Sequence, residues 1–141
     1  MATPVDAYLQ ECQNLLIPPL PYLQKLLQSH VTELNLTGIY IGDKQAIALS
    51  TALKQMRVTK FIAPLNGLMN SGVRSILLSL ESRGIELIDL SRNDFAPSCV
   101  KDICRVIVNT LELQEVKVVM CSHLKPEHVR KIQEAFIKRS K

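Results

Sequence analysis

Tryptophan is absent from this 141-residue chain, and three phenylalanines with three tyrosines complete its aromatic content. Platforms for stacking bases or sugars are therefore few. Glycine is also scarce, at five residues, and none builds a phosphate loop: Gly38 and Gly42 precede Asp43 and Lys44 without the G-x-x-x-x-G-K-[ST] spacing. No apolar run approaches the roughly 18 residues of a membrane span. The first 17 residues hold Asp6 and Glu11 but neither lysine nor arginine, so the basic start of a secretory or transit signal is missing. The four cysteines, at 12, 99, 104 and 121, form no C-x-x-C pair. The expectation is reduced thiols in a cytoplasmic protein that neither crosses nor binds a membrane.

Catalytic and metal chemistry are equally poorly supplied. Cys121, His123 and His128 are of the types that zinc favours, yet they number three rather than four. A five-residue spacing of the histidines also fits one helix face poorly. Nothing in the spacing brings a histidine to Cys99 or Cys104 to act as a base. The chain therefore reads as non-enzymatic, with no catalytic residue, no metal and no cofactor.

What the chain does have is a period. An apolar residue, two free positions, an apolar residue, one free position and another apolar residue recur four times. The copies are Val31, Leu34, Leu36, then Val58, Phe61, Ala63, then Ile85, Ile88, Leu90, then Leu113, Val116, Val118. Their middle members are 27, 27 and 28 residues apart. Such a step marks a stacked repeat. Behind each comb the spacing changes from two to three and four: Ala46, Leu49, Leu53; Val73, Ile76, Leu80; Val100, Ile103, Ile107; Val129, Ile132, Phe136. These offsets lie on one helix face, so each unit reads as a short strand followed by a helix. The units are 31–57, 58–84, 85–112 and 113–141, behind a helical N-terminal cap over 1–30, all within one folded body.

Three residues past the last apolar member stand Asn66, Asn93 and Cys121 in the second to fourth copies, as in L-x-x-L-x-L-x-x-N/C-x-L. An amide or thiol turned inward there bonds backbone groups of the neighbouring turn that burial would leave unpaired. The first copy carries Ile39, so its turn is expected to be paired differently. Residues 31–137 thus resemble the ribonuclease-inhibitor-like class of intracellular leucine-rich repeats. The resemblance implies an α/β solenoid, a curved stack with a concave parallel sheet and convex helices, used to bind other macromolecules.

In the first 30 residues, Thr3 is placed to cap a helix over residues 6–16, and Pro21 to start a second through Leu27. Leu15, Leu16, Leu20, Leu23, Leu26 and Leu27 are expected to cover the open end of the stack. Pro18-Pro19-Leu20-Pro21 reads as a stiff corner rather than a proline-rich ligand. The run Tyr8 to Cys12, the proline break and Ile41-Gly42-Asp43 before an alanine-rich helix look like the start of leucine-rich proteins of ciliary and flagellar axonemes.

Outward positions between the comb members form three columns: Glu33, Lys60, Leu87, Glu115; Asn35, Ile62, Asp89, Lys117; and Thr37, Pro64, Ser91, Val119. Ile62, Leu87 and Val119 among Asp89 and Lys117 form the candidate docking patch of the concave face. A second candidate is the basic end, Lys125, Arg130, Lys131, Lys138, Arg139 and Lys141, which holds the whole excess of a net charge of +4. The end of the fourth unit is a third. The expected function is a protein-protein interaction scaffold or adaptor in a larger intracellular assembly, cytoskeletal, ciliary or flagellar, with an acidic partner surface suited to the basic end. The alternative is nucleic-acid or ribonucleoprotein binding through the C-terminal helix.

Overall fold

Strands of only three residues are all this chain needs, because each pairs in register with its neighbours in sequence, the inner two on both sides and the outer two on one. The computed structural model describes residues 3–139. These form six helices and a four-stranded parallel sheet. Two helices come first, α1 (Pro4–Leu15) and α2 (Pro21–Gln28). Then β1 (Glu33–Asn35), β2 (Lys60–Ile62), β3 (Leu87–Asp89) and β4 (Glu115–Lys117) alternate with α3 (Gly42–Leu53), α4 (Asn70–Leu80), α5 (Val100–Asn109) and α6 (Pro126–Arg139). A 3-10 turn, Pro97–Cys99, leads into α5.

The sheet runs β1-β2-β3-β4, in chain order, with Leu34, Phe61, Ile88 and Val116 side by side. Leu34, Phe61 and Ile88 are fully buried, as are Leu36, Ala63 and Leu90 one pleat further on. They meet Leu49, Ile76 and Ile103 of the helices in one core. At the fourth unit Ile132 is buried, while Val116, Val129 and Phe136 pack only partly into that core.

Three positions past the end of each strand stands a left-handed residue: Gly38, Leu65, Arg92 and Met120 have φ of 79°, 50°, 59° and 57°. There the backbone leaves the sheet, and buried amides hold the turn together. Asn93 Nδ2 donates to the carbonyls of Ala63, Leu90 and Ser91 at 2.9, 3.0 and 3.2 Å. Its Oδ1 accepts from the backbone N–H groups of Asn66 and Leu68 at 2.9 and 3.0 Å. Asn66 likewise donates to Leu36 and Pro64 carbonyls and accepts from Ile41 N–H. Cys121 Sγ donates to Leu90 O at 3.3 Å. The first turn, lacking such a residue, uses Asn35, whose Oδ1 accepts from the backbone and hydroxyl of Thr37 at 3.0 and 2.6 Å.

The N-terminal helices lie against α3 through a polar bolt. Tyr8 is fully buried. Its hydroxyl donates to Gln45 Oε1 at 2.6 Å and accepts from Leu20 N–H at 2.9 Å, while Gln45 Nε2 donates to Pro18 O at 2.7 Å. Thr3 and Asp6 form a reciprocal capping box at the start of α1. Leu23 and Leu27 are buried, and Leu15, Leu20 and Leu26 pack partly into the core. Leu16 departs from expectation. Pro18 and Pro19 forbid the helix to continue, so Leu16 takes a left-handed C-cap conformation and stands 91% exposed.

Replacing the turn residues by alanine is expected to destabilise in the order Asn93, Asn66, Cys121. Asn93→Ala strands two buried N–H groups and removes the amide donor to three carbonyls, for at least about 3 kcal/mol. Asn66→Ala strands one N–H, for about half that, and Cys121→Ala removes one weak donor, for about 1 kcal/mol or less. Urea unfolding of the three variants checks the ranking; equal losses contradict it.

Candidate binding surfaces

The outward face of the sheet follows the register given by the columns. Glu33 pairs with Lys60, Lys60 with Leu87, and Leu87 with Glu115; Asn35 pairs with Ile62, Ile62 with Asp89, and Asp89 with Lys117. Ile62, Leu87 and Asp89 are half-buried, while Lys60, Glu115 and Lys117 are exposed. Among the described residues no ion pair joins Glu33 to Lys60 or Asp89 to Lys117. Asp89 instead turns along its own strand, and its Oδ1 accepts from Ser91 N–H at 2.9 Å. Lys60 and Lys117 therefore flank Ile62 and Leu87, which lie on adjacent strands, about 7–8 Å apart on a diagonal.

The third column is not part of this face. Ser91 is buried, and its Oγ accepts from Val119 N–H at 3.0 Å. Val119 is 61% exposed but lies past the end of β4, where the chain has begun its turn. The patch is thus Ile62 and Leu87 between two lysines, with Val119 set apart. Beyond β4, the N–H groups of Val118 and Met120 meet no backbone acceptor among the described residues, whereas their counterparts Leu90 and Arg92 bond to Lys117 O and Val119 O.

Two aromatic residues that the repeat pattern passes over join these surfaces. Tyr22 is 43% exposed and donates its hydroxyl to Asn35 O at 3.2 Å, on the outer edge of β1. Its position follows Pro21, which starts α2 and sets the buried face on Leu23 and Leu27. Tyr40 lies over Gly67, where an added Cβ would come within 2.9 Å of the ring. With Leu65 and Met69, both exposed, it forms an apolar rim at the strand-to-helix turns.

The basic residues of the last unit do not act as one patch. Arg139 Nη1 donates to the carbonyls of Ile107 and Thr110 at 3.2 and 2.7 Å, closing the end of α5, and its guanidinium lies 5.2 Å from the Phe136 ring centre. Lys131 and Lys138 face α5, whereas Lys125 lies toward β4. Arg130 is exposed, and Lys141 lies outside the described residues. His128 Nδ1 accepts from Lys125 N–H at 2.9 Å. Among the described residues no three metal-ligating side chains converge, and no helix is long and apolar enough to cross a membrane.

All four cysteines are free, and burial pushes each thiol up, away from the reactive thiolate. Cys99 belongs to the 3-10 turn rather than to α5, and its Sγ donates to Asn70 Oδ1 at 3.6 Å. Cys104, on α5, shares a groove with His128, but its thiol donates to Lys131 O at 3.6 Å.

One charge cluster is structural. Asp102 accepts from Arg74 Nε and Arg105 Nη1, both at 3.0 Å, and Arg105 Nε donates to Glu81 at 3.1 Å. Burial opposes the charge on Asp102, but the bonds from Arg74 and Arg105 outweigh it and hold the carboxyl below its ordinary 3.8. The cluster joins α4 to α5.

No protein-family model matches the chain, and no curated protein does. Among solved structures it is similar to "Leiomodin-1 Actin-Binding Site 2 (ABS2)", with a TM-score of 0.66 and 16% identity over 96% of this chain and 73% of that one. At that identity the likeness concerns the fold.

Because the carboxyl of Asp102 is held low, its contribution to stability is complete above pH 3.8 and fades as the pH falls through that value. Asp102→Asn is expected to cost about 1–2 kcal/mol near neutrality, and the gap to wild type should shrink, by at most about 1 kcal/mol, on going from about pH 5 to about pH 3. Urea unfolding across that range tests this; a constant gap removes the charge from the account.

Proposed function

We propose that this chain is a leucine-rich-repeat interaction module without catalytic activity, and that it docks a cytoskeletal protein partner on the outward face of its sheet. The repeat reading is supported by the 27-residue register together with the inward amides of Asn66 and Asn93. Residues 1–30 act as its helical cap, and the units 31–57, 58–84, 85–112 and 113–141 as one body. The observation that carries the docking surface is the pair Ile62 and Leu87, incompletely covered on the outward face and set among Glu33, Lys60, Asp89, Glu115 and Lys117. Apolar anchors within a frame of mixed charge suit a protein surface that presents the complementary charges.

The cytoskeletal setting is supported by the likeness in fold to the actin-binding site of leiomodin-1. Actin is accordingly the first partner to try. A ciliary or flagellar setting is a finer reading that rests on the resemblance of the first 53 residues. Nucleic-acid binding gains nothing from the geometry, since Arg139 is engaged with carbonyls and the remaining cations of the last unit face different ways.

Co-sedimentation with actin filaments tests the proposal. Wild type should pellet with the filaments, and Ile62→Glu with Leu87→Glu should weaken binding at least about tenfold, about 1.4 kcal/mol, while the melting curve stays cooperative. Absence of wild-type binding removes actin as the partner. Full retention by the folded double variant removes the sheet face.

A further inference from the structure

Polar side chains bridge two seams of the helix layer, while the third, between α5 and α6, is packed at its base by Ile103, Ile107, Ile132 and Ala135 and grooved at its surface. Between α3 and α4, Asp43 accepts from Met69 N–H at 2.7 Å and Ser71 hydroxyl at 2.8 Å. Gly72 sits so close that any Cβ would collide with the Asp43 carboxylate. Between α4 and α5 runs the chain of Arg74, Asp102, Arg105 and Glu81. Between α5 and α6, by contrast, the polar bridges among the described residues are the Cys104 thiol and, at one end, Arg139. A groove of about 690 Å³ opens there.

Val108, 50% exposed, and half-buried Cys104 supply its apolar surface, above a floor of buried Val100 and Ala135. Its rim carries Lys101, Lys131 and Lys138 against the single acid Glu134. None of the three lysines forms an ion pair among the described residues, although the neighbouring seam pairs each of its charges. Apolar surface framed by three lysines and one acid is complementary to an apolar stripe edged with carboxylates.

We propose that the α5/α6 groove binds an acidic amphipathic helix of a protein partner, at a site separate from the outward sheet face. A helix suits the place because the flanking elements are themselves helices, whose side-chain ridges accept another at the usual packing distance. An extended peptide needs an open sheet edge for its backbone, which this groove lacks. The bound helix sets apolar residues at i, i+3, i+4 and i+7 over Val108 and Cys104, and Asp or Glu against the lysines.

The test uses a fluorescein-labelled synthetic helix of about four turns, with leucines on one stripe and glutamates on both flanks. A twin carries lysines in place of the glutamates. Anisotropy should show binding of the acidic helix alone, weakened by added salt and at least about tenfold by Lys131→Glu with Lys138→Glu. Ile62→Glu with Leu87→Glu should leave it unchanged, which separates this site from the sheet face. The bound helix should also slow alkylation of Cys104 by N-ethylmaleimide, the other three cysteines being buried. No binding, equal binding of the twin, indifference to charge reversal, or unaltered alkylation of Cys104 each overturns the proposal. Capture by phosphatidylserine vesicles with the same lysine dependence, and none of the peptide, reassigns the groove to a lipid surface.

Discussion

The side-chain amide of Asn93 turns two neighbouring strand-helix units into one structure. It satisfies carbonyls of its own turn and of the one before, and it takes two N–H groups from the turn that begins with Asn66. Without it, a strand of three residues could not end inside an apolar core, because the departing backbone would leave polar groups buried and unpaired. The left-handed residues at Leu65, Arg92 and Met120 follow from the same need. They swing the chain sharply enough to present its amides to that side chain, at a conformational cost that glycine avoids only in the first unit.

A period held by buried groups is visible in sequence, and this one was. The comb from Val31 to Val118 gives the strand register residue by residue, and Leu49, Ile76, Ile103 and Ile132 give the buried helix face, because each position admits only apolar side chains. The departures occur where local backbone chemistry overrides the pattern. Leu16 is apolar yet exposed because the prolines behind it end the helix. Ser91 falls in an outward column yet is buried, because the strand has already turned when it accepts from Val119. Tyr8 and Gln45 carry no signal in a scheme of apolar spacing, though their hydrogen bonds fix the N-terminal helices to α3.

Charge was the least legible property, for a physical reason. A lysine or arginine count says how many cations a segment has, whereas binding depends on what each cation already touches. Arg139 counts toward the basic end but is spent on the carbonyls that finish α5. Arg74 and Arg105, in a stretch of no net charge, are tied to acids one unit away in sequence. The lysines beside exposed apolar surface, Lys60 and Lys117 on the sheet and Lys101, Lys131 and Lys138 along α5 and α6, come from separate parts of the chain and meet only on folding.

That distribution separates stability from recognition. The inward side of every unit must repeat, since a change there opens the core or strands a backbone group, and so it identifies the architecture but not the partner. The outward side is free to vary wherever water can solvate it. Half-covered Ile62 and Leu87 and the exposed face of Val108 use that freedom in a direction water opposes, on two opposite layers of the molecule. In both places the apolar surface is framed by charged side chains, of both signs on the sheet face and mostly cationic at the α5/α6 groove. Burying the apolar atoms and matching those charges are met together by one kind of contact, with a surface of complementary charge.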